Sequence, residues 1–232
     1  MKKTFILFLL LIGYNNIQGQ DFETRRRPMV EIVSRNYTEN IPNGIDLSTT
    51  KGSPYEHDSF SLGTIIHKAT SQKIKAFLRY NAYSDEIELK EDLKSTKINS
   101  VTKNENIYIS LNDKEYHFKD FTTEKGKAES GYLTKKNDLY SRLQKDYIPV
   151  KKATTPFYSD TPAQFKDVKS YFLEVNGKTK EITLNKNKIA AIFPSTHKKT
   201  LTDFIKKEKL KFKKEDDIVK LITFYNTLKS DN

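Results

Sequence analysis

Two acidic residues spaced two apart, Glu86 and Glu88 with Asp85 beside them, are the nearest approach in this chain to a catalytic carboxylate pair. On a strand, Glu86 and Glu88 would project from one face, where two acids can share a proton or hold a cation. Arg79, Lys75 and Lys90 lie on the neighbouring stretch, so cross-strand charge pairing is the expectation and acid-base chemistry is not. The four histidines, His57, His67, His117 and His197, form no HxH or HExxH spacing, and no metal site is expected. His117 sits between Tyr116 and Phe118 in an alternating stretch and is expected to face solvent. The chain has no cysteine, no G-x-S-x-G elbow and no glycine-rich phosphate loop. The expectation is therefore no catalytic residue, no cofactor and no enzyme.

What remains is binding chemistry. Tyr55, Arg79, Tyr80, Asn81 and Tyr83 combine the turn Gly52-Ser53-Pro54-Tyr55 with polar and aromatic groups expected on an exposed face, and form the candidate contact segment. Tyr108 and Tyr132 join Tyr55, Tyr80 and Tyr83 as side chains that could line a sugar or hydrophobic pocket. Tyr and Phe are also ordinary strand residues, so core packing is the more economical account of their abundance.

Charge points the same way. The formal net charge is +11, and removal of Lys2 and Lys3 with a leader would leave 11 − 2 = +9. Six of the 41 basic residues are Arg, leaving 35 Lys, whereas phosphate readers lean on bidentate Arg. A solvated lysine surface is expected, with an anionic envelope surface as a secondary partner and no nucleic acid.

The elements that must position these groups begin with an N-terminal address. Met1 to Gly19 reads as a secretory signal peptide: Lys2 and Lys3, an apolar run Phe5 to Ile12 too short to span a bilayer, then small Gly19 before the cut. Residues 20–51 read as an extended leader containing Arg25-Arg26-Arg27-Pro28, in which only Met29 to Val33 could pack. No later run is apolar enough for a transmembrane span. The mature product is expected to be exported, at the periplasm or cell surface.

From 52 to 194, short alternating stretches with tight polar turns predict an antiparallel β domain, sandwich or barrel. Asn176-Gly177 between two such stretches is the strongest hairpin signal. Lys145 to Lys169, with Pro149, Pro156 and Pro162, reads as a long loop. From 195 to 232 the period lengthens: Leu201, Phe204 and Ile205, then Ile218, Leu221, Ile222, Tyr225 and Leu228, predict a helical pair packed on the β domain.

Gly52-Ser53-Pro54-Tyr55, the run Arg79 to Glu88, the run Leu210 to Asp217, and Tyr225-Asn226 together resemble a group of uncharacterised exported proteins of Bacteroidota, over about residues 52 to 228. The resemblance implies a cell-envelope protein and carries over no activity or site residue. The functional expectation is a non-enzymatic envelope protein acting in binding or assembly with an envelope protein partner. The alternative is a barrel or sandwich that carries a small apolar or glycan ligand.

Overall fold

The structure, a computed structural model, describes residues 34–36, 45–155, 157, 159–175, 177–185, 188–189, 192–212 and 214–230. The signal-peptide reading, the Arg25 to Arg27 triplet and the Met29 to Val33 stretch lie outside them.

The chain is mainly β, closed by a C-terminal helical pair. The strands are β1 Ser34–Asn36, β2 Ser61–His67, β3 Gln72–Asn81, β4 Glu86–Lys90, β5 Asn99–Val101 and β6 Ile107–Leu111. They continue with β7 Lys114–Thr122, β8 Ala128–Lys136, β9 Leu139–Ile148, β10 Gln164–Val175 and β11 Lys178–Ile182. A 3-10 turn at Ser195–His197 leads into α1 Lys198–Lys207, followed by α2 Glu215–Ser230.

Strands β7, β8, β9, β10 and β11 close on themselves as a five-stranded barrel. Every seam is antiparallel except the last, where β11 meets β7 in parallel at Lys180↔Thr122. A flap of β6, β2, β3, β4, β5 and β1 grows from the other end of β7, whose first residues pair with β6. Sharing one long strand lets a single sheet be both barrel and flap. The flap ends at β1, where Ser34 to Asn36 pair with Val101 to Asn99. That strand lies within the expected leader, so the leader contributes to the sheet instead of standing outside the domain.

Period-two alternation divides the barrel residues between two faces. Register aligns His117 with Leu133 and Tyr140 with Phe172, and Phe121, Leu133, Tyr140 and Phe172 form a buried aromatic cluster inside the barrel. The intervening residues face outward. Tyr116, Tyr132, Phe118 and Leu143 pack against the flap residues Ile65, Leu78, Ile87 and Ile109. Leu139, Leu173 and Ile182 pack against Leu201, Ile205, Ile218, Leu221 and Ile222 of the helices. The helical stripes read from the sequence are the buried ones, and Phe204 stacks on Phe224 at 4.0 Å to join the pair.

The β3 to β4 turn drives a wedge into the barrel wall. Asp85, in the left-handed region at φ 56°, accepts the Tyr132 N–H, and the Ala82 carbonyl accepts the Lys145 N–H. Asp85 also pairs with Arg142 Nη2 at 3.3 Å and accepts the Tyr80 hydroxyl at 2.7 Å. Gly131 is the residue that makes room: a Cβ there would stand 2.8 Å from Asp85 Oδ2 and 2.9 Å from the Arg142 guanidinium carbon.

Two expectations are corrected. Lys145 to Lys169 is not one loop, because β9 runs to Ile148 and β10 starts at Gln164, leaving 149–163 between them. Sequence-distant pairing supplies the ladder that proline-rich flanks obscured. His117 does not face solvent. It is 7% exposed, because the inner face of β7 is the barrel lumen. The β10 to β11 hairpin stands as read, with Val175 opposite Lys178; Asn176 of its turn lies outside the described residues.

Candidate functional site: a tyrosine-walled cleft

The flap covers the Leu143 end of the outer barrel face and the helices cover the Leu139 end. Between the two covers the outer face of β7, β8 and β9 is left open as a cleft of about 360 Å³. Three phenols wall it: Tyr80 from β3, Tyr116 from β7 and Tyr132 from β8. Tyr80 and Tyr116 lie 5.2 Å apart at a tilt, and Tyr80 meets Tyr132 edge to face at 6.3 Å. Such offset contacts fix the rings relative to one another.

Their hydroxyls are committed. Tyr80 donates to Asp85, and Tyr116 donates to Glu56, whose other oxygen pairs with the Lys114 ammonium. Burial first, then the neighbouring carboxylate, pushes the Tyr80 and Tyr116 phenols far above their ordinary range. Burial, then Asp85 and Glu86, does the same to Tyr132. All three are neutral donors at any physiological pH. Thr134 and Ser141, opposite each other in the β8 to β9 register, add hydroxyls 2.8 Å apart.

The rim is ionic. Lys169 pairs with Glu215 at 2.9 Å and Lys136 with Asp216 at 2.5 Å, so the first turn of α2 is pinned to the barrel beside the cleft. Burial works against the Lys169 charge, but hydrogen bonds to Glu215 and Tyr171 outweigh it and its pKa rises. Lys135 also borders the cleft, but its place opposite Tyr140 puts it on the other face of β8 from Tyr132 and Thr134, and its charge acts on Glu174 and His117. It lines a second hollow of about 460 Å³ as well, with Glu115, Asn137, Asp138, Thr223 and Asn226. A third, of about 500 Å³, is open at the far end of β7, β8 and β11, with Phe121 as the one aromatic residue named in its lining.

The contact segment expected from the sequence is divided by the pleat. Arg79 and Asn81 fall on one face of β3 and Tyr80 on the other. Arg79 binds Glu88 through Nη2 at 2.6 Å and Nε at 3.0 Å, and Nη1 donates to the Asp58 carbonyl at 3.0 Å. Its guanidinium lies over the Tyr55 ring at 3.5 Å and the Phe60 ring at 4.4 Å. Asn81 donates to the other Glu88 oxygen and caps the turn by accepting the Tyr83 and Ser84 N–H groups. Tyr83 stands apart, edge-on to Phe165 at 5.5 Å. Tyr55, Tyr80 and Asn81 are buried, which corrects the expected exposed face. Only Tyr80 reaches the cleft.

Glu88 pairs across the strands as the charge pattern predicted. Glu86 instead takes Arg35 at 2.5 Å and Lys103 at 2.9 Å, partners too distant in sequence to be paired by spacing. Among the described residues no group of three or more His, Cys, Asp or Glu side chains is placed to hold a metal.

The chain matches no protein-family model, no curated protein and no solved structure. Its chemistry must be argued from its own geometry.

Sequence reasoning missed Tyr116, Glu56, Lys114, Thr134, Lys135 and Ser141 as one site. Tyr116, and Tyr132 with Thr134 and Lys136, carry a period-two signal for a shared face. Nothing short of the β7 to β8 to β9 register brings them to Tyr80.

Inside the barrel a second polar group forms. Tyr140 donates to Glu174 at 2.7 Å, and Lys119 pairs with the same carboxylate at 3.2 Å. His117 stacks on Tyr108 at 5.3 Å and lies 3.4 Å from Glu115. Burial pushes His117 down to about 4; Glu115 opposes the shift and Lys68 and Lys135 reinforce it. It is a neutral ring at pH 7, held among aromatic and cationic groups.

Proposed function

We propose that the chain is an exported, non-enzymatic binding protein of the cell envelope whose tyrosine-walled cleft holds a small acidic sugar. The observation that carries the reading is the meeting of three fixed, neutral phenols with a lysine rim that includes Lys135 in one open cleft. Tyr80, Tyr116 and Tyr132, each at most 3% exposed, give the cleft a rigid aromatic floor, the hydroxyls of Thr134 and Ser141 suit a sugar's hydroxyl groups, and an ammonium suits a carboxylate. The volume falls in the lower part of the range of about 300–1,000 Å³ common for small-molecule sites.

Binding without turnover is supported by what the polar lining already does. Glu56 is engaged by Tyr116 and Lys114, and the Thr134 hydroxyl is engaged by Ser141. Of the two ligand classes expected from the sequence, a glycan suits this lining better than a purely apolar molecule, because ion pairs and hydroxyls ring the phenols. Export rests on the signal-peptide reading of Met1 to Gly19.

The test is a titration with digalacturonate and, in parallel, with maltose, followed by NMR shifts of the Tyr80, Tyr116 and Tyr132 rings. Digalacturonate is expected to shift all three rings and maltose to bind more weakly. Lys135→Glu is expected to weaken digalacturonate about tenfold, the scale of exchanging one charge-assisted hydrogen bond for a repulsion. Unmoved ring resonances with digalacturonate, or equal affinity for both sugars in wild type and Lys135→Glu, would refute the proposal.

A further inference from the structure

The β9 to β10 hairpin does not stop where its named strands stop. Partner numbers sum to 312 from Leu139↔Leu173 through Ile148↔Gln164, and the isolated pair Lys151↔Thr161 has the same sum. Lys151 and Thr161 exchange both backbone hydrogen bonds, at 3.0 and 2.9 Å. The next step in register, Lys152 opposite Asp160, is an ion pair at 2.7 Å, and Asp160 also accepts the Ala153 N–H. One antiparallel hairpin therefore continues past the barrel, interrupted only around Pro149 and Pro162, which lack an N–H to give to the ladder. At about 3.3 Å per residue, the arm from Ile148 to Lys152 reaches roughly 13 Å beyond the last barrel pair.

Of the described residues between 149 and 162, all but Ala153 are exposed. A two-stranded ribbon of this kind gains little stability by itself. Yet it holds Phe157 near its tip, 92% exposed, the most exposed large apolar residue described, with Val150 and Ile148 along one arm. In sequence Phe157 is flanked by Pro156 and Tyr158. Around the root, Lys151, Lys152, Lys166 and Lys51, the last bridged to Gln164, stand against Asp146 and Asp160. Four cations against two anions leave the base of the finger positive, on a chain whose formal charge is +11.

We propose that this finger inserts Phe157 into the headgroup region of an anionic bilayer, holding the protein at a membrane surface without a spanning segment. An apolar tip with lysines a few residues behind it is the arrangement in which a ring enters the interface while ammonium groups stay at lipid phosphates. The convex shape favours a bilayer over a protein partner. Protein interfaces bury some twenty to thirty residues a side, roughly, and this finger offers one large ring on a narrow stem. The inference is independent of the cleft, since no residue of the finger lines it.

The chain contains no tryptophan, so Phe157→Trp installs a sole indole as reporter. With vesicles of phosphatidylglycerol mixed into phosphatidylcholine, its emission is expected to shift to the blue. Pure phosphatidylcholine is expected to hold the protein about tenfold more weakly, and added salt to narrow that difference. Phe157→Asp, at an exposed position where circular dichroism is expected to show an intact fold, is expected to lose cosedimentation about tenfold. An unmoved indole emission on phosphatidylglycerol vesicles would overturn the proposal. So would a Phe157→Asp protein that sediments like wild type, since adsorption would then belong to the lysine surface alone. Wild type that ignores every vesicle also overturns it and leaves a protein pocket as the partner of the ring.

Discussion

Removing the Arg79 guanidinium is expected to destabilise the fold strongly, although the residue sits on a strand rich in exposed lysines. Glu88 is fully buried, and its Oε2 receives both the Nε and the Nη2 of Arg79. Among the described residues, Arg79→Met leaves that oxygen no charged partner, while Oε1 retains Asn81 at 3.2 Å. Stranding one member of a buried pair costs about 3–5 kcal/mol, because the remaining charge is deprived of its water and its counter-charge together. The cation–π interaction over Tyr55 at 3.5 Å adds about 0.5–2 kcal/mol, partly replaced by the Met thioether. At about 2–4 °C per kcal/mol for a chain of this size, the melting temperature should fall by about 10 °C. The double variant Arg79→Met with Glu88→Leu removes both charges at similar volume, and should recover to within about 1 kcal/mol of wild type, since apolar replacement of a buried pair is often neutral. Urea unfolding of the four members of the cycle measures the coupling. A loss below about 1 kcal/mol in Arg79→Met, or a double variant no better than the single, would refute the reasoning.

Other expectations are as direct. Gly131→Ala places a methyl 2.8 Å from Asp85 Oδ2 and 2.9 Å from the Arg142 guanidinium; thermal unfolding should report a loss of about 1–3 kcal/mol, and an unchanged midpoint would mean the wedge yields freely. His117, held down at about 4 against an ordinary 6.5, makes the folded state bind fewer protons than the unfolded one between those values. Stability from this residue is therefore full above pH 6.5 and lost as pH falls to about 4. The gap caps the effect at about 3 kcal/mol, and about 1–2 kcal/mol is expected once solvent reaching the Glu115 and Lys68 side is allowed for. Urea unfolding between pH 4 and 7 should show a shallower slope for His117→Phe than for wild type; parallel slopes would contradict the buried, neutral ring. Phe224→Ala removes the 4.0 Å stack on Phe204 and should loosen the helical pair before the barrel, read as faster amide exchange in α1 and α2 than in β7 to β10.

Much of the secondary structure is legible because it is local. Ile74, Ala76, Leu78 and Tyr80 alternate, an Asn-Gly pair falls between two alternating stretches, and Ile218, Leu221, Ile222 and Tyr225 repeat at helical spacing; each is a statement about neighbours within a few residues. The same alternation correctly puts Glu88 opposite a base. It cannot put Glu86 opposite Arg35, because 51 residues separate them. Nor can it choose which face of β7 meets the lumen, so it points His117 to solvent. Alternation gives two faces without saying which is covered, and in a barrel both can be.

The sequence by itself determined the chain's class: β-rich, basic, free of cysteine, with a helical end. Those are properties of composition and short-range periodicity, and they survive any arrangement of the strands. Tertiary structure alone decided that β11 returns to β7 to close a barrel, that the Asp85 turn splits its wall, and that Tyr80, Tyr116 and Tyr132 meet while Tyr55, Arg79 and Asn81 turn away. The physical reason is the pleat combined with register. A strand sends successive side chains to opposite sides, so membership of a site is fixed by which strands are neighbours and by how far each has slid, and neither is written in any short window of sequence.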